Sequence, residues 1–374
     1  MAADTAGRPR GTWSAPGRVN FIGEHTDYND GYVLPIALPH RVRVRASRRE
    51  DEVLSVSSTA QSVDKDSPVA FEASALRPGA QRTWAAYALG MAWALREAGH
   101  RVRGADLAID GEVPIGAGLS SSAALQCAAG AALCGLYGIT LDPVELALLA
   151  RRSENEFVGV PCGLMDQMAS MCCTAGHALF FDTRSLSCAQ VPLDLAAEDL
   201  RLLVIDTRVR HSLTDGAYTM RRTQCERAAA LLGVEALRDV RSVAQLDALR
   251  SPVLRARARH VVTENARVLR TVEAVRSGRI RDTGPLLTAS HTSLREDFEV
   301  SCPELDLAVR AALGAGALGA RMTGGGFGGS AIALVEAAAA DAVHRAVRRA
   351  FAAAGHIEPR ILEVVPSDGA TAQA

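Results

Sequence analysis

Three short stretches of this chain carry residue types that can do chemistry, and glycine punctuates each. The first, Ala15-Pro16-Gly17-Arg18-Val19-Asn20-Phe21-Ile22-Gly23-Glu24-His25-Thr26-Asp27-Tyr28-Asn29-Asp30-Gly31, crowds arginine, glutamate, histidine, aspartates and tyrosine together. Carboxylates accept bonds from vicinal hydroxyls and imidazole works as donor or acceptor, so this composition suits a polyhydroxylated ligand such as a sugar. Glu24, His25 and Asp27 as metal ligands are the competing reading, ranked lower because consecutive residues rarely converge on one ion. A solvated turn is the plain alternative.

The second stretch, Pro114-Ile115-Gly116-Ala117-Gly118-Leu119-Ser120-Ser121-Ser122-Ala123-Ala124, runs from a glycine turn into an alanine-rich helix. A helix start of this kind presents unpaired N–H groups and a partial positive charge, and so binds an anion without a cationic side chain. Its serines add hydroxyls for phosphate oxygens or a metal; a merely serine-capped helix is the ordinary alternative. The third, Arg321-Met322-Thr323-Gly324-Gly325-Gly326-Phe327-Gly328-Gly329-Ser330, precedes an apolar strand. Such a glycine run lets another segment or a ligand approach closely. It lacks the polar padding of a flexible linker.

What is missing matters as much. Of 374 residues, with Lys+Arg 41 against Asp+Glu 42, the sole lysine is Lys65, inside the polar run Val63-Asp64-Lys65-Asp66-Ser67. P-loop enzymes, Schiff-base enzymes and protein kinases each need a lysine in a phosphate-facing or apolar setting. A nucleotide here must be gripped by backbone amides and arginine. The net charge of -1 argues against a nucleic-acid partner, which needs a clustered basic surface. Eight cysteines without a C-x-x-C pair read as free thiols in a reducing cytoplasm. The uncharged stretch from Val113 to Leu141 is rich in Ser, Ala and Gly and reads as a buried helix, so no membrane partner is expected.

The elements that would position these stretches follow from periodicity. Arg41–Ala46 alternates like a half-buried strand. Trp84–Ala98 has helical spacing and ends at Gly99. Asp142-Pro143 opens a helix by capping. Leu179–Asp182, Leu202–Asp206, Ser330–Leu334 and Arg360–Val365 read as strands, 217–280 and 337–353 as mostly helix. The lightest boundary falls near residues 195–200, giving an α+β chain with strands in both halves and a disordered tail from Ser367. His40, His100, His260 and His291 read as surface or capping residues, and Arg221-Arg222 as a solvated helix face.

The combination of stretches resembles the GHMP kinases, small-molecule kinases that bind ATP without a P-loop lysine. Pro114–Ala124 is similar to the superfamily's phosphate loop and Met322–Ser330 to its third motif, while GRVNFIGEHTDYNDG looks like the signature of the galactokinase branch. Glu154–Gln167 resembles the segment bearing the catalytic aspartate, and Val209–Leu213 with Tyr218 the block that gives a tyrosine to the sugar. Likeness extends from about Ser14 to Val365 by the spacing of these blocks.

That resemblance implies a two-domain GHMP kinase fold with mixed sheets and helices and an active site in the cleft: an N-terminal domain over 1–200, a C-terminal domain over 201–366 and a tail over 367–374. It implies phosphorylation of the anomeric hydroxyl of D-galactose, the first committed step of galactose use by the Leloir pathway, in a cytoplasmic protein expected to be a monomer, with a dimer left open. Asp166 would be the general base and Arg18 its neighbour at the γ-phosphate. Glu24, His25, Asp27, Gly163 and Tyr218 would bind the sugar, with Glu24 and His25 toward O6 and Asp27 toward O3/O4. The segment Gly116, Ala117, Gly118, Leu119, Ser120, Ser121 and Ser122 would cradle ATP, and Ser122 with Glu154 would hold Mg²⁺. A kinase for N-acetylgalactosamine or L-arabinose, and a sugar-sensing paralogue without activity, are the alternative readings; the intact Ser120–Ala124 run with Asp166 and Arg18 favours the enzyme.

Overall fold

The computed structural model describes residues 9–59, 68–80, 83–210 and 216–373. Lys65 and its polar run, and the His211–Leu213 part of the tyrosine block, lie outside the described residues. A six-stranded sheet dominates the N-terminal half in the order β13-β1-β3-β6-β4-β5, formed by β13 (Thr371–Gln373), β1 (Arg10–Asn20), β3 (Pro35–Arg48), β6 (Ala105–Gly111), β4 (Val53–Ser58) and β5 (Val69–Glu72). A four-stranded sheet in the C-terminal half joins β10 (Gly319–Thr323), β11 (Ser330–Glu336), β9 (Leu200–Asp206) and β12 (Arg360–Val364). A small sheet of β2 (Tyr32–Val33), β7 (His177–Asp182) and β8 (Cys188–Pro192) lies with them. The fold is α+β.

Helices α1 (Ala86–Glu97) and α2 (Ser121–Tyr137) pack on each other, and α2 lies across β1 and β3. The alanines and glycines of the uncharged stretch are what allow this: Gly130 and Gly135 admit Met91, Leu146 and the Trp13 ring where a Cβ would collide. Helix α3 (Pro143–Arg152) opens on a capping box in which Asp142 accepts from the Glu145 N–H and Glu145 reaches back, as the sequence suggests. The continuation toward Phe157 is a π-helical turn over Ser153–Val158 rather than an α-helix. Such turns are frequent at functional sites, and this one carries Glu154. Helix α4 (Met165–Cys172) follows at once with Asp166 in its first turn.

The C-terminal half adds α5 (Ala217–Leu232), α6 (Pro252–Arg276), α7 (Thr283–Glu296), α8 (Pro303–Gly314) and α9 (Ala340–Ala353). Strands β9 and β11 are buried almost throughout, which their apolar runs anticipate; β10 is buried as well although it carries Arg321 and Thr323.

One expectation fails here. The tail is not disordered: Thr371–Gln373 pairs with β1 along Thr12–Ser14. Arg41 fixes the tail by donating to the carbonyls of Asp368 at 2.8 Å and Gly369 at 2.6 Å, so the open edge of β1 is covered.

Candidate active site

Strand β1 is irregular where the chemistry sits. Between Pro16 and Arg18 its register against β3 shifts, with Pro16 opposite Arg41 and Arg18 opposite Ala37. The extra residues on β3 make a bulge, which re-aims the strand's side chains. Gly17 has no Cβ because one would lie 2.6 Å from the Leu119 carbonyl, and the Arg18 N–H donates to that same carbonyl at 3.1 Å. The glycine loop that leads into α2 is thus laid directly on β1.

The loop then turns through Gly116 and Gly118, both at positive φ, and through Ser120 at φ 57. A left-handed serine is uncommon and costs strain. Its Oγ does not cap α2; it donates to Asp166 Oδ2 at 2.5 Å. The simple serine-capped reading therefore fails, and the first N–H groups of α2 have no side-chain cap. They face a cavity lined by Gly116, Gly118, Leu119 and Ser120–Ser122. Ala117 is the exception among the predicted loop residues: its side chain is buried and its carbonyl accepts from Ser330 Oγ at 2.7 Å.

Arg18 enters the same cavity. It donates from Nε to Asp166 Oδ1 at 2.8 Å and from NH1 to the Gly118 carbonyl at 2.8 Å, with NH2 2.7 Å from Asp166 Oδ1. Across from it, Asp27 lies against the backbone of Gly163, where a Cβ would stand 1.8 Å from Asp27 Oδ2. Burial and then the charge of Asp166 push the Asp27 carboxyl up to about 6. Glu154 is buried and accepts from Gln167 Nε2 at 2.7 Å. Its carboxyl rises to about 7 through burial and then the charge of Asp166, against hydrogen bonds from Ser122, Cys162 and Gln167. Three carboxylates thus share a small volume.

One end of the cavity is aromatic. His25 adopts φ 62 and pairs through Nδ1 with the Tyr28 hydroxyl at 2.8 Å; its Nε2 is buried without a hydrogen bond. Burial, with His260 and Arg221 nearby, brings its pKa down to about 3, so the ring is neutral. Tyr218 packs 5.5 Å from the His25 and Tyr28 rings, centre to centre. Glu24 also lines the cavity, but its oxygens are engaged: Oε1 accepts from Thr323 Oγ1 at 3.0 Å and the Gly324 N–H at 2.7 Å, Oε2 from Asn20 Nδ2 at 2.9 Å.

The third motif packs rather than dangles. A Cβ at Gly324 would lie 2.8 Å from the Gly118 carbonyl, and one at Gly329 3.0 Å from that of Ala117. Arg321 is wholly buried, donating to the carbonyls of Asn20 and Phe21 at 2.9 and 3.2 Å. Three residues read from sequence as exterior are also interior. His260 and His291 are buried, and Arg221 donates to the carbonyls of Phe298 at 2.6 Å and Glu299 at 2.8 Å. Buried polar residues on long amphipathic helices look like their polar face, so periodicity gives no signal for them. Arg210, to which sequence gives no role, lies over Gly116, within 3.1 Å of where a Cβ would be.

Residues 86–174 match the family of GHMP kinases N terminal domain, 271–353 that of GHMP kinases C terminal, and 3–48 the galactokinase galactose-binding signature. A galactokinase of Streptomyces coelicolor is 57% identical over 367 residues, 97% of this chain and 94% of that one. The chain belongs to the galactokinase family. A galactokinase of Mycobacterium tuberculosis is 46% identical over 96% of this chain and 98% of its own. The crystal structure of Lactococcus lactis galactokinase complexed with galactose superposes with a TM-score of 0.92 at 33% identity, covering 97% of this chain and 95% of that one. Methanococcus jannaschii mevalonate kinase, at TM-score 0.68, 16% identity and coverage of 96% and 99%, shares the fold. This galactokinase-family chain thus has the two-domain GHMP kinase architecture. Among its described residues no helix is long and apolar enough to cross a membrane.

Proposed function

We infer that the protein transfers the γ-phosphoryl group of ATP to the anomeric hydroxyl of D-galactose, yielding galactose 1-phosphate and ADP. The observation that carries this reading is the junction at Asp166. One oxygen is held by Arg18 and the other by Ser120 of the phosphate loop, while Asp27 and Gly163 lie at the same cavity. A hydroxyl presented there would sit between a carboxylate and a bound anion.

Phosphoryl transfer depends mainly on positioning and on stabilising charge. In this reading the N–H groups at the start of α2 hold the ATP phosphates, and Arg18 offsets charge developing on the transferred group. Asp166 accepts the proton of O1 as the new O–P bond forms and the bond to ADP breaks. Asp27 accepts from sugar hydroxyls, His25 offers its free Nε2, and the Tyr218 ring closes the pocket. Glu24 fixes the loop through Asn20, Thr323 and Gly324, leaving one lone pair on Oε2 for a sugar hydroxyl such as O6.

Glu154 and Ser122 suit a magnesium ion. A buried carboxylate whose neighbour is a second carboxylate is short of positive charge, and no group of three or more candidate metal-binding side chains occurs among the described residues. Mg²⁺ takes one or two protein oxygens and fills its octahedron with phosphates and water. When bound, it would neutralise charge on the phosphates. The protein is further read as acting in the cytoplasm.

The test is a coupled assay of the purified chain with ATP and Mg²⁺ over a panel of sugars. D-galactose should be turned over at the highest kcat/KM, with galactose 1-phosphate as product. Turnover of N-acetylgalactosamine or L-arabinose in preference would move the assignment to a related sugar kinase, and ATP binding without turnover of any sugar would make it a sensor.

A further inference from the structure

Helix α6 runs past the loop that follows β1, and three polar side chains on one of its faces bind that loop's backbone. His260 Nε2 lies 3.0 Å from the Glu24 carbonyl. Glu264 Oε1 accepts from the Gly23 N–H at 3.0 Å. Asn265 Oδ1 accepts from the Tyr32 N–H at 2.9 Å. The spacing of 260, 264 and 265 places them on one helical face. His260 and Glu264 are fully buried.

The residues they hold are ones that backbone geometry would not hold alone. Gly23 has φ 109 and His25 φ 62, and a non-glycine residue at positive φ persists only where its surroundings over-determine it. His260 makes one hydrogen bond to this segment and one to α7. A carbonyl can only accept, so Nε2 carries the proton and donates to Glu24, while Nδ1 lies 3.0 Å from Ser293 Oγ. Ser293 Oγ also donates to Asp297 Oδ2 at 3.0 Å, so that hydroxyl ties the imidazole to the end of α7. The ring also packs at a tilt against Phe298, with centroids 4.6 Å apart, and Phe298 packs likewise against His25 at 4.7 Å. The peptide before His25 and the ring of His25 are therefore both referred to one side chain on a distant helix.

We propose that His260 is a positioning residue for sugar binding, fixing the Glu24–His25 peptide and the His25 ring so that Nε2 of His25 and the carboxylate of Asp27 meet the sugar together. This rests on the galactokinase reading above and adds a residue that itself touches no substrate. It places the specificity of the signature loop partly in α6, more than two hundred residues away in sequence. Glu264 and Asn265 brace the two ends of the same loop.

The deciding measurement separates sugar from nucleotide. His260→Phe keeps an aromatic ring and removes both hydrogen bonds; His260→Gln returns an N–H near the Nε2 position. In the full-length enzyme, His260→Phe should raise the galactose KM, and the galactose Kd measured without nucleotide, by about tenfold, the scale of a lost buried hydrogen bond. The ATP KM should stay within about twofold, and His260→Gln should recover most of the loss. Ser293→Ala, a milder change that strips Nδ1 of its partner, should raise the galactose constants alone by a few-fold and decides the matter if His260→Phe does not fold. Unchanged galactose constants in a folded variant, an equal rise in both KM values, or no recovery in His260→Gln would overturn the proposal. A wild-type enzyme inactive on galactose would instead overturn the functional reading.

Discussion

Arg18 touches Asp166 with two guanidinium nitrogens on a single oxygen, Oδ1, at 2.8 and 2.7 Å. Its third nitrogen is spent on the Gly118 carbonyl, so one side chain ties the carboxylate to the phosphate loop. A lysine has no planar fork and cannot hold both partners. Arg18→Lys should fold normally and lose about a hundredfold or more in kcat. Asp166→Asn preserves shape and removes the proton acceptor, and kcat should drop by about 10²–10⁴ with both KM values changed little. Steady-state kinetics of the two variants check this, and near wild-type turnover by Asp166→Asn would remove it as the base.

Gly163 owes its identity to Asp27. A methyl group there would meet Oδ2 at 1.8 Å, so Gly163→Ala must push the carboxylate off its position. A site built to bond a hydroxyl loses strongly when that partner is displaced. The galactose KM should rise by more than about tenfold, and discrimination against glucose should weaken, with ATP binding unaffected. Calorimetric titration with each ligand separates these effects.

Gly324 packs against the glycine loop that leads into α2. At φ 86, with a Cβ predicted 2.8 Å from the Gly118 carbonyl, alanine would both strain the backbone and push on the phosphate loop. Gly324→Ala should cost about 1–3 kcal/mol of stability and raise the ATP KM more than the galactose KM. Thermal unfolding and the ratio of the two KM changes are the readouts.

Asp27 and Glu154 give the site a pH dependence whose sign can be worked out. Their folded-state values, about 6 and about 7, lie above the ordinary 3.8 and 4.5. Through that window the folded state keeps protons that the unfolded chain has released, so ionising the pair costs stability as pH rises from about 4 to about 7. Below it, both states are protonated and the cost vanishes. The thermal midpoint of ligand-free wild type, measured relative to Asp27→Asn, should therefore fall across this range. In the enzyme assay, the galactose KM should climb as pH drops below about 6, because the neutral Asp27 carboxyl accepts fewer hydrogen bonds; a flat profile in either measurement would count against the Asp27 assignment.

Local signals in the chain were enough for much of this. The Asp142 capping box, the alternation along Arg41–Ala46 and the apolar runs of β9 and β11 depend on near neighbours, and they appear where periodicity puts them. The glycines at 116, 118, 324 and 329, with Arg18 and Asp27, stand out by residue type and setting, whereas Gly163, Glu154 and Asp166 are marked only by the family resemblance. A sequence does not show which carbonyl a missing Cβ makes room for. That Gly17 and Gly324 exist for the phosphate loop, that Ser120 serves Asp166 instead of its own helix, and that His260, Arg221 and Arg321 are interior were all decided by contacts between segments far apart in the chain. The tail escapes a sequence reading for the same reason: its strand exists only because β1 offers an edge and Arg41 two bonds. Sequence determined the kinds of group available and the local geometry around them. Tertiary structure alone decided which groups meet, since burial and hydrogen bonding are properties of the assembled neighbourhood.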